Sequence, residues 1–129
     1  MVVTIKEHRY DVDFDDVRVI AAADDGKRAI VEANASLPPV TDASYGKRLL
    51  DFLDVVKEAI DGVVGDGVSA ECFGAAYNWR DILTGWLAIV EASTASAAET
   101  RAASAELVHR ATACVTASKA SGRQPVRLE

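Results

Sequence analysis

The opening of the chain alternates between apolar and acidic side chains. Every second residue from 10 to 14 is Tyr, Val or Phe, and the two residues between them are aspartates. A period of two is typical of a β-strand with one solvated face. The runs VVTIK and RYDVDF are separated by Glu7 and His8, so the segment predicts a β-hairpin over residues 1–14. Because an isolated hairpin is marginal in water, we expect it to pack on helices or to pair with another chain.

The next two segments follow the 3.6-residue period of amphipathic helices. Residues 15–35 carry a weak apolar stripe, and Gly26 within it predicts a break near residues 24–26. After a loop that contains two prolines, residues 42–64 carry the strongest stripe of the chain. The glycines that follow predict the end of this helix, and Ser69 is the expected cap of a short helical turn after it.

The last helix is predicted to begin after Asn78, which forms a candidate capping box with Asp81. Its seven-residue series is apolar at both ends and weak in the middle: Trp79, Trp86, Ser93, Thr100, Leu107 and Cys114. The helix either runs unbroken to residue 118 or bends near residues 93–96. A long helix with so thin a stripe normally needs a second chain or a hairpin partner, so we expect a homo-oligomer.

Together these patterns predict a single α+β domain that is predominantly helical. In it, an N-terminal β-hairpin packs on a three- to four-helix bundle with a long C-terminal helix. We expect the helical core over residues 15–92, an Ala/Ser-rich helix over residues 93–118 and a frayed tail over residues 119–129. A chain of 129 residues is long enough to fold as one domain without a metal or a disulfide.

The charge of the chain argues against binding to nucleic acid. The formal net charge is −6, and residues 1–67 carry 14 acidic against 8 basic side chains. An acidic front half repels phosphate backbones. A charge as early as Lys6, and the lack of an apolar run of about 18 residues, predict neither a secretory signal nor a membrane span. We therefore expect a cytoplasmic protein that does not bind membranes.

The residue types that carry catalysis or bind metals are sparse. Cys72 and Cys114 have small or apolar neighbours, so both are expected to be buried free thiols in a reducing compartment. His109 lies five residues from Cys114 without a second pair of ligands, and His8 stands far from both. The alternating aspartates lack the glycine and the glutamate of a calcium loop. The sequence therefore predicts no catalytic residue, no metal site and no cofactor.

Three segments carry a likeness to a known group of proteins. They are TIKEHRYDVDFDD, LLDFLDVVKEAIDGVVGDGVSAECFG and YNWRDILTGWLAIVE, which together cover roughly residues 4–92. In these segments the chain resembles tail assembly chaperones of long-tailed bacteriophages, particularly a group of small proteins from prophages of Gram-positive bacteria. The resemblance implies a chaperone of the bacterial host cell that binds tape measure and tail tube proteins while the tail is built. The Ala/Ser-rich stretch after residue 92 departs from that group.

Trp79 and Trp86 are seven residues apart on one helical face, and two interpretations of them are open. They pack in the core, or they anchor a partner, since tryptophan is enriched at binding hot spots, or one tryptophan takes each role. We hypothesise a groove between amphipathic helices that covers an apolar stripe of the partner. Its predicted lining is Phe52, Val56, Trp79, Leu83, Trp86 and Val90. On this hypothesis, Trp86→Ala weakens partner binding more than it lowers stability.

Two other functional classes stay open. One is a helical oligomerisation or structural module of a prophage, in which the helix over residues 79–118 associates with itself. The other is a small ligand-binding domain or an enzyme. A deep polar pocket that joins Cys72 to a histidine would favour that class, because nucleophilic catalysis needs a base beside the nucleophile.

Overall fold

The computed structural model describes the backbone of residues 1–120 and the side chains of residues 1–116. Within these limits the protein is α+β and mostly helical, with an N-terminal antiparallel hairpin and a long last helix, as predicted. In chain order the elements are β1 (Val2–Ile5), β2 (His8–Asp11), α1 (Val17–Ala35), α2 (Tyr45–Val64), α3 (Val68–Phe73) and α4 (Trp79–Ala120). The predicted tail over residues 119–129 lies outside the described residues from residue 121 onwards.

The chain divides into two compact units. The first comprises Met1–Ser96 and contains the hairpin, the first three helices and the beginning of α4. The second begins at Ala97 and, within the described residues, consists of the rest of α4. The interpretation of residues 1–129 as a single domain stays a prediction.

The hairpin follows the period of two that the sequence predicts. β1 and β2 pair antiparallel, from Val2 opposite Asp11 to Ile5 opposite His8. The turn is one residue earlier than expected, because Lys6 supplies the left-handed conformation, with φ of 55°. Val3 and Ile5 are buried in the common core, so the hairpin packs on the helices.

Helix α1 is unbroken, which corrects the predicted break near residues 24–26. Its N-cap is Asp16, whose carboxylate accepts a hydrogen bond from the backbone N–H of Arg18 at 2.9 Å. Gly26 is buried rather than at a bend. A Cβ added there would lie 2.8 Å from a ring carbon of Trp86 and 3.0 Å from Cβ of Ala59. The glycine therefore allows close helix packing.

Helix α2 forms the centre of the core, and α3 is tied to its end. Gly65 and Gly67, which have positive φ angles, end α2 and begin α3. Ser69 does not cap α3 as predicted, because Gly67 holds the N-cap position. Instead, the backbone N–H and the hydroxyl of Ser69 donate to the two carboxylate oxygens of Asp61, at 2.8 and 2.9 Å.

Helix α4 is helical without interruption from Trp79 to Ala120, and the alternative of a bend near residues 93–96 stays a prediction. In the first unit, Ile82 and Ile89 are fully buried, and Trp86 is 8% exposed. Between residues 97 and 116, by contrast, every side chain but that of Thr100 is exposed.

Candidate functional site

An apolar groove lies in the first unit between the end of α1, the N-terminal half of α2 and the start of α4. It encloses about 360 Å³. Its lining is mainly apolar or aromatic and comprises Asn34, Leu37, Tyr45, Leu49, Phe52, Trp79 and Leu83. Trp79 is the apolar side chain of this lining that is most open to solvent, with 50% of its surface exposed. We call this surface the Trp79 groove.

The position of Trp79 is fixed by the N-terminal cap of α4. Oδ1 of Asn78 accepts hydrogen bonds from the backbone N–H groups of Arg80 at 3.1 Å and of Asp81 at 3.2 Å. Asn78 is thus the N-cap residue that the sequence predicts. The guanidinium of Arg80 lies 5.1 Å from the centre of the Trp79 ring, within the range of a cation–π contact. The positive charge of Arg80 therefore lies beside the exposed ring.

The loop before α4 is anchored to α2 by a small polar cluster. The hydroxyl of Tyr77 donates to Oδ1 of Asp54 at 2.5 Å, and this bond raises the pKa of Tyr77. Nζ of Lys57 lies 3.8 Å from the centre of the Tyr77 ring and donates to the carbonyl oxygen of Ala76 at 3.0 Å. Because Trp79 follows two residues later, these contacts hold the groove's tryptophan against α2 as well as on α4.

The structure brings three of the six predicted groove residues together, namely Phe52, Trp79 and Leu83. Phe52 is buried at the floor, and Leu83 is half-buried beside the exposed tryptophan. Val56 is fully buried, so a partner on the surface does not reach it. Val90 is partly buried against the core, two turns further along α4.

Trp86 lies in the core, which corrects its predicted place in the groove. It is 8% exposed and faces Gly26 of α1 at close range. The heptad spacing puts Trp79 and Trp86 on the same side of α4, but only Trp86 has a helix packed directly over it. The two interpretations of the tryptophans therefore apply to different residues, with core packing for Trp86 and an exposed position for Trp79.

Four residues of the lining are additions to the predicted set. Leu49 and Tyr45 belong to the apolar stripe of α2 and lie about one and two turns before Phe52. This spacing predicts that they share a face with Phe52. Leu37 lies next to the two prolines, in a loop whose path has no periodic signal. Asn34, near the end of α1, is the polar member of the lining.

A second, smaller hollow of about 140 Å³ adjoins the Trp79 groove. The two share Leu37 and Phe52, so the apolar surface continues along the α1–α2 junction. Arg48 and Asp51, both exposed, line the smaller hollow and give it charges of both signs. An apolar floor with a charged border is the usual anatomy of a protein-binding surface.

The side chains around Cys72 form a separate cluster. The hydroxyl of Tyr10 lies 3.3 Å from Sγ of buried Cys72, and this hydrogen bond, together with burial, raises the pKa of Tyr10. Nδ1 of His8 lies 3.6 Å from Oε1 of Glu71. The His8 ring stacks with the Tyr10 ring, and the two ring centres are 6.4 Å apart. Cys72 therefore has the hydroxyl of Tyr10 as its hydrogen-bonding partner, and His8 lies beside the carboxylate of Glu71.

The second cysteine does not behave as expected. Cys114 is exposed on α4, whereas burial was predicted from its small neighbours. Those neighbours lie on a stretch of helix where His109 and the surrounding side chains are exposed as well.

Among the described residues, no three His, Cys, Asp or Glu side chains come together in a metal-binding arrangement. Within the same residues, none of the helices combines the length and the apolar character required to cross a bilayer.

The model of a protein family described as a family of unknown function (DUF6673) matches residues 6–123, which is most of the chain. No curated protein and no solved structure matches.

Proposed function

The chain belongs to the DUF6673 family, whose function is unknown, and we propose that it is a non-enzymatic protein-binding factor. The Trp79 groove is the surface that binds the partner. The observation that carries this proposal is a half-exposed tryptophan, held at a capped helix start, over an apolar groove. Contiguous exposed apolar surface is typical of protein-binding sites, and tryptophan is enriched among the residues that dominate binding energy.

The groove suits an amphipathic helix of the partner. Such a helix presents apolar residues three and four positions apart and inserts them into a groove between helices. The two adjoining hollows supply an apolar track with Arg48, Asp51 and Arg80 along it. A helix with a few charged residues beside its apolar stripe would find both contacts there.

We place this activity in phage tail assembly, as a chaperone in the cytoplasm of the bacterial host. The resemblance of residues 4–92 to tail assembly chaperones supports this assignment. Tape measure proteins are long helical chains that expose apolar stripes before the tail is built. An acidic helical protein with an open apolar groove could cover such stripes and keep the chains apart.

The first test is co-expression of the protein with the tape measure and tail tube proteins of its own locus. We expect the partner to stay in solution and to co-purify with the wild-type chain. Trp79→Ala should reduce the amount recovered at least tenfold, because hot-spot tryptophans contribute about 2 kcal/mol or more.

The matched control is Leu87→Ala. Leu87 lies on α4, in the same unit, and is 52% exposed, but it does not line the groove. This variant should recover as much partner as the wild type. Equal recovery with Trp79→Ala and with the wild type would refute the groove, and no recovery with either tail protein would refute the tail assembly role.

A further inference from the structure

The part of α4 in the second unit exposes apolar side chains that the Trp79 groove does not explain. Leu107, Val108 and Val115 are 62%, 64% and 60% exposed. All three lie on one stretch of regular helix, within residues 97–116. Most of the stability of protein helices comes from packing of an apolar face, so the stretch gains stability from a partner that covers its apolar side.

The exposed apolar residues share a face. At 100° per residue, a seam of alternating three- and four-residue steps from residue 97 to residue 114 covers an arc of about 100°, or about 120° with Val108 at its border. The seam comprises Ala97, Thr100, Ser104, Leu107, Ala111 and Cys114, and Val108 and Val115 border it. The four charged residues of the segment lie off this seam. This spacing is that of a two-helix coiled coil.

The charges of the segment favour a second copy as the occupant. Residues 97–116 carry two acids, Glu99 and Glu106, and two bases, Arg101 and Arg110. The segment is therefore neutral, although the chain has a net charge of −6. The net negative charge of the chain lies in residues 1–67, so two copies do not repel each other through their net charge at this face. A strongly basic partner, which the acidic chain would otherwise attract, has no excess of acidic side chains to bind on this face.

We infer that residues 97–116 of α4 pair antiparallel with the same segment of a second copy, about a twofold axis between Ala105 and Glu106. In this register, Ala97 faces Cys114 of the second copy and Ser104 faces its Leu107. Each layer thus combines a small side chain with an equal or larger one.

The same register pairs opposite charges. Glu99 and Arg110 lie on the same flank of the seam, at −120° and −100° from its centre by helical geometry. In the antiparallel pair, Arg110 of one copy comes level with residue 101 of the other, within reach of its Glu99. The twofold axis forms this contact twice. A parallel pair would put Leu107 against Leu107 and separate Glu99 from Arg110, so the charges distinguish the two orientations.

This surface is independent of the Trp79 groove, and its test uses the full chain. Sedimentation velocity across a wide concentration range should show a reversible dimer. Leu107→Asp should raise the dissociation constant by more than about 100-fold, because it buries a carboxylate in the seam. Trp79→Ala should leave dimerisation unchanged. A wild-type chain that stays monomeric at all concentrations would overturn the inference.

A charge swap keeps the inference falsifiable if Leu107→Asp unfolds the helix. Arg110→Glu should weaken the dimer about tenfold, because two attractive contacts become repulsive. Adding Glu99→Arg should restore it. Within one helix these residues are eleven positions apart and do not touch, so rescue requires contact between copies. Failure of the rescue in a chain of unchanged helicity would refute the register.

Cysteine cross-linking determines the orientation. In Ala97→Cys, the new thiol faces the native Cys114 of the second copy, and mild oxidation should give a covalent dimer. Within one chain the two positions are about 25 Å apart along the helix, too far for a disulfide. The wild-type chain, with Cys114 alone exposed, should stay uncrosslinked. Efficient Cys114–Cys114 cross-linking of the wild type would instead establish a parallel pair and overturn the antiparallel one.

Discussion

At the scale of single residues, the two tryptophans of α4 show how much depends on the facing element. Both occupy the same heptad position, and the sequence alone leaves their roles open. Trp86 lies opposite Gly26, where the lack of a side chain leaves room for the ring, and is buried. Trp79 lies over a groove and keeps half its surface in solvent. Substitution of Trp86 should therefore lower stability more than substitution of Trp79, and substitution of Trp79 should weaken partner binding more.

Trp86→Ala should lower the free energy of unfolding by about 3–5 kcal/mol, the usual cost of removing a large buried aromatic side chain. Trp79→Ala should cost less than about 1 kcal/mol, because the ring is half exposed. Urea denaturation of both variants provides the measurement. This order reverses the expectation from sequence that Trp86 is the partner anchor. A larger loss for Trp79→Ala would show that the assignment of the two rings is mistaken.

Two helical glycines provide a matched pair. Gly26→Ala gains helix propensity of about 1 kcal/mol but forces Cβ to within 2.8 Å of the Trp86 ring, and overpacking costs about 1–3 kcal/mol. We expect a net loss of about 1 kcal/mol. A Cβ at Gly62 meets nothing within 4 Å, so Gly62→Ala should stabilise the protein by about 0.5–1 kcal/mol. Thermal unfolding of the two variants should shift in opposite directions, and a shift of the same sign would contradict the packing of α1 on Trp86.

At the scale of elements, the starts of helices were predictable where a side chain makes the cap and were not where a glycine does. Asn78 caps α4 as its spacing to the apolar face predicts. Ser69 was an equally good candidate for α3, yet its hydroxyl donates to Asp61, which lies eight residues earlier. The contact of Ser69 with the preceding helix competes with capping of α3, and the spacing of residues in the sequence does not predict such a contact.

The cap of α4 also connects stability with binding. Asn78→Ala should lower the free energy of unfolding by about 1 kcal/mol, the typical cost of a lost N-cap. Because Trp79 is the first residue of the helix, fraying there should also weaken partner recovery in the co-expression assay. Asn78→Asp keeps the capping oxygen and should restore both. A normal yield of partner with a frayed helix start would show that the cap does not position Trp79.

At the scale of the whole molecule, periodicity was sufficient for the fold class but not for the site. Periods of two and of 3.6 residues predict the hairpin and the helices, because each element buries one face. The groove depends on which faces meet, and Leu37 enters it from a loop without any period. Cys114 illustrates the same limit, because small neighbours suggest burial whether or not anything packs over them. Sequence patterns identify the faces, and the tertiary contacts decide which are covered.

The Trp79 groove is assembled from residues 34 to 83, which belong to three helices and a loop. No single segment of the chain forms this surface by itself, so an unfolded copy has no groove that could bind a partner. A partner that binds there binds only the native state of this protein. At a free partner concentration of 100 times the dissociation constant, binding adds about 2.7 kcal/mol to the free energy of unfolding of this protein. In the cell, a partner would therefore bind only folded copies of the protein, and unfolding of the protein would release the partner.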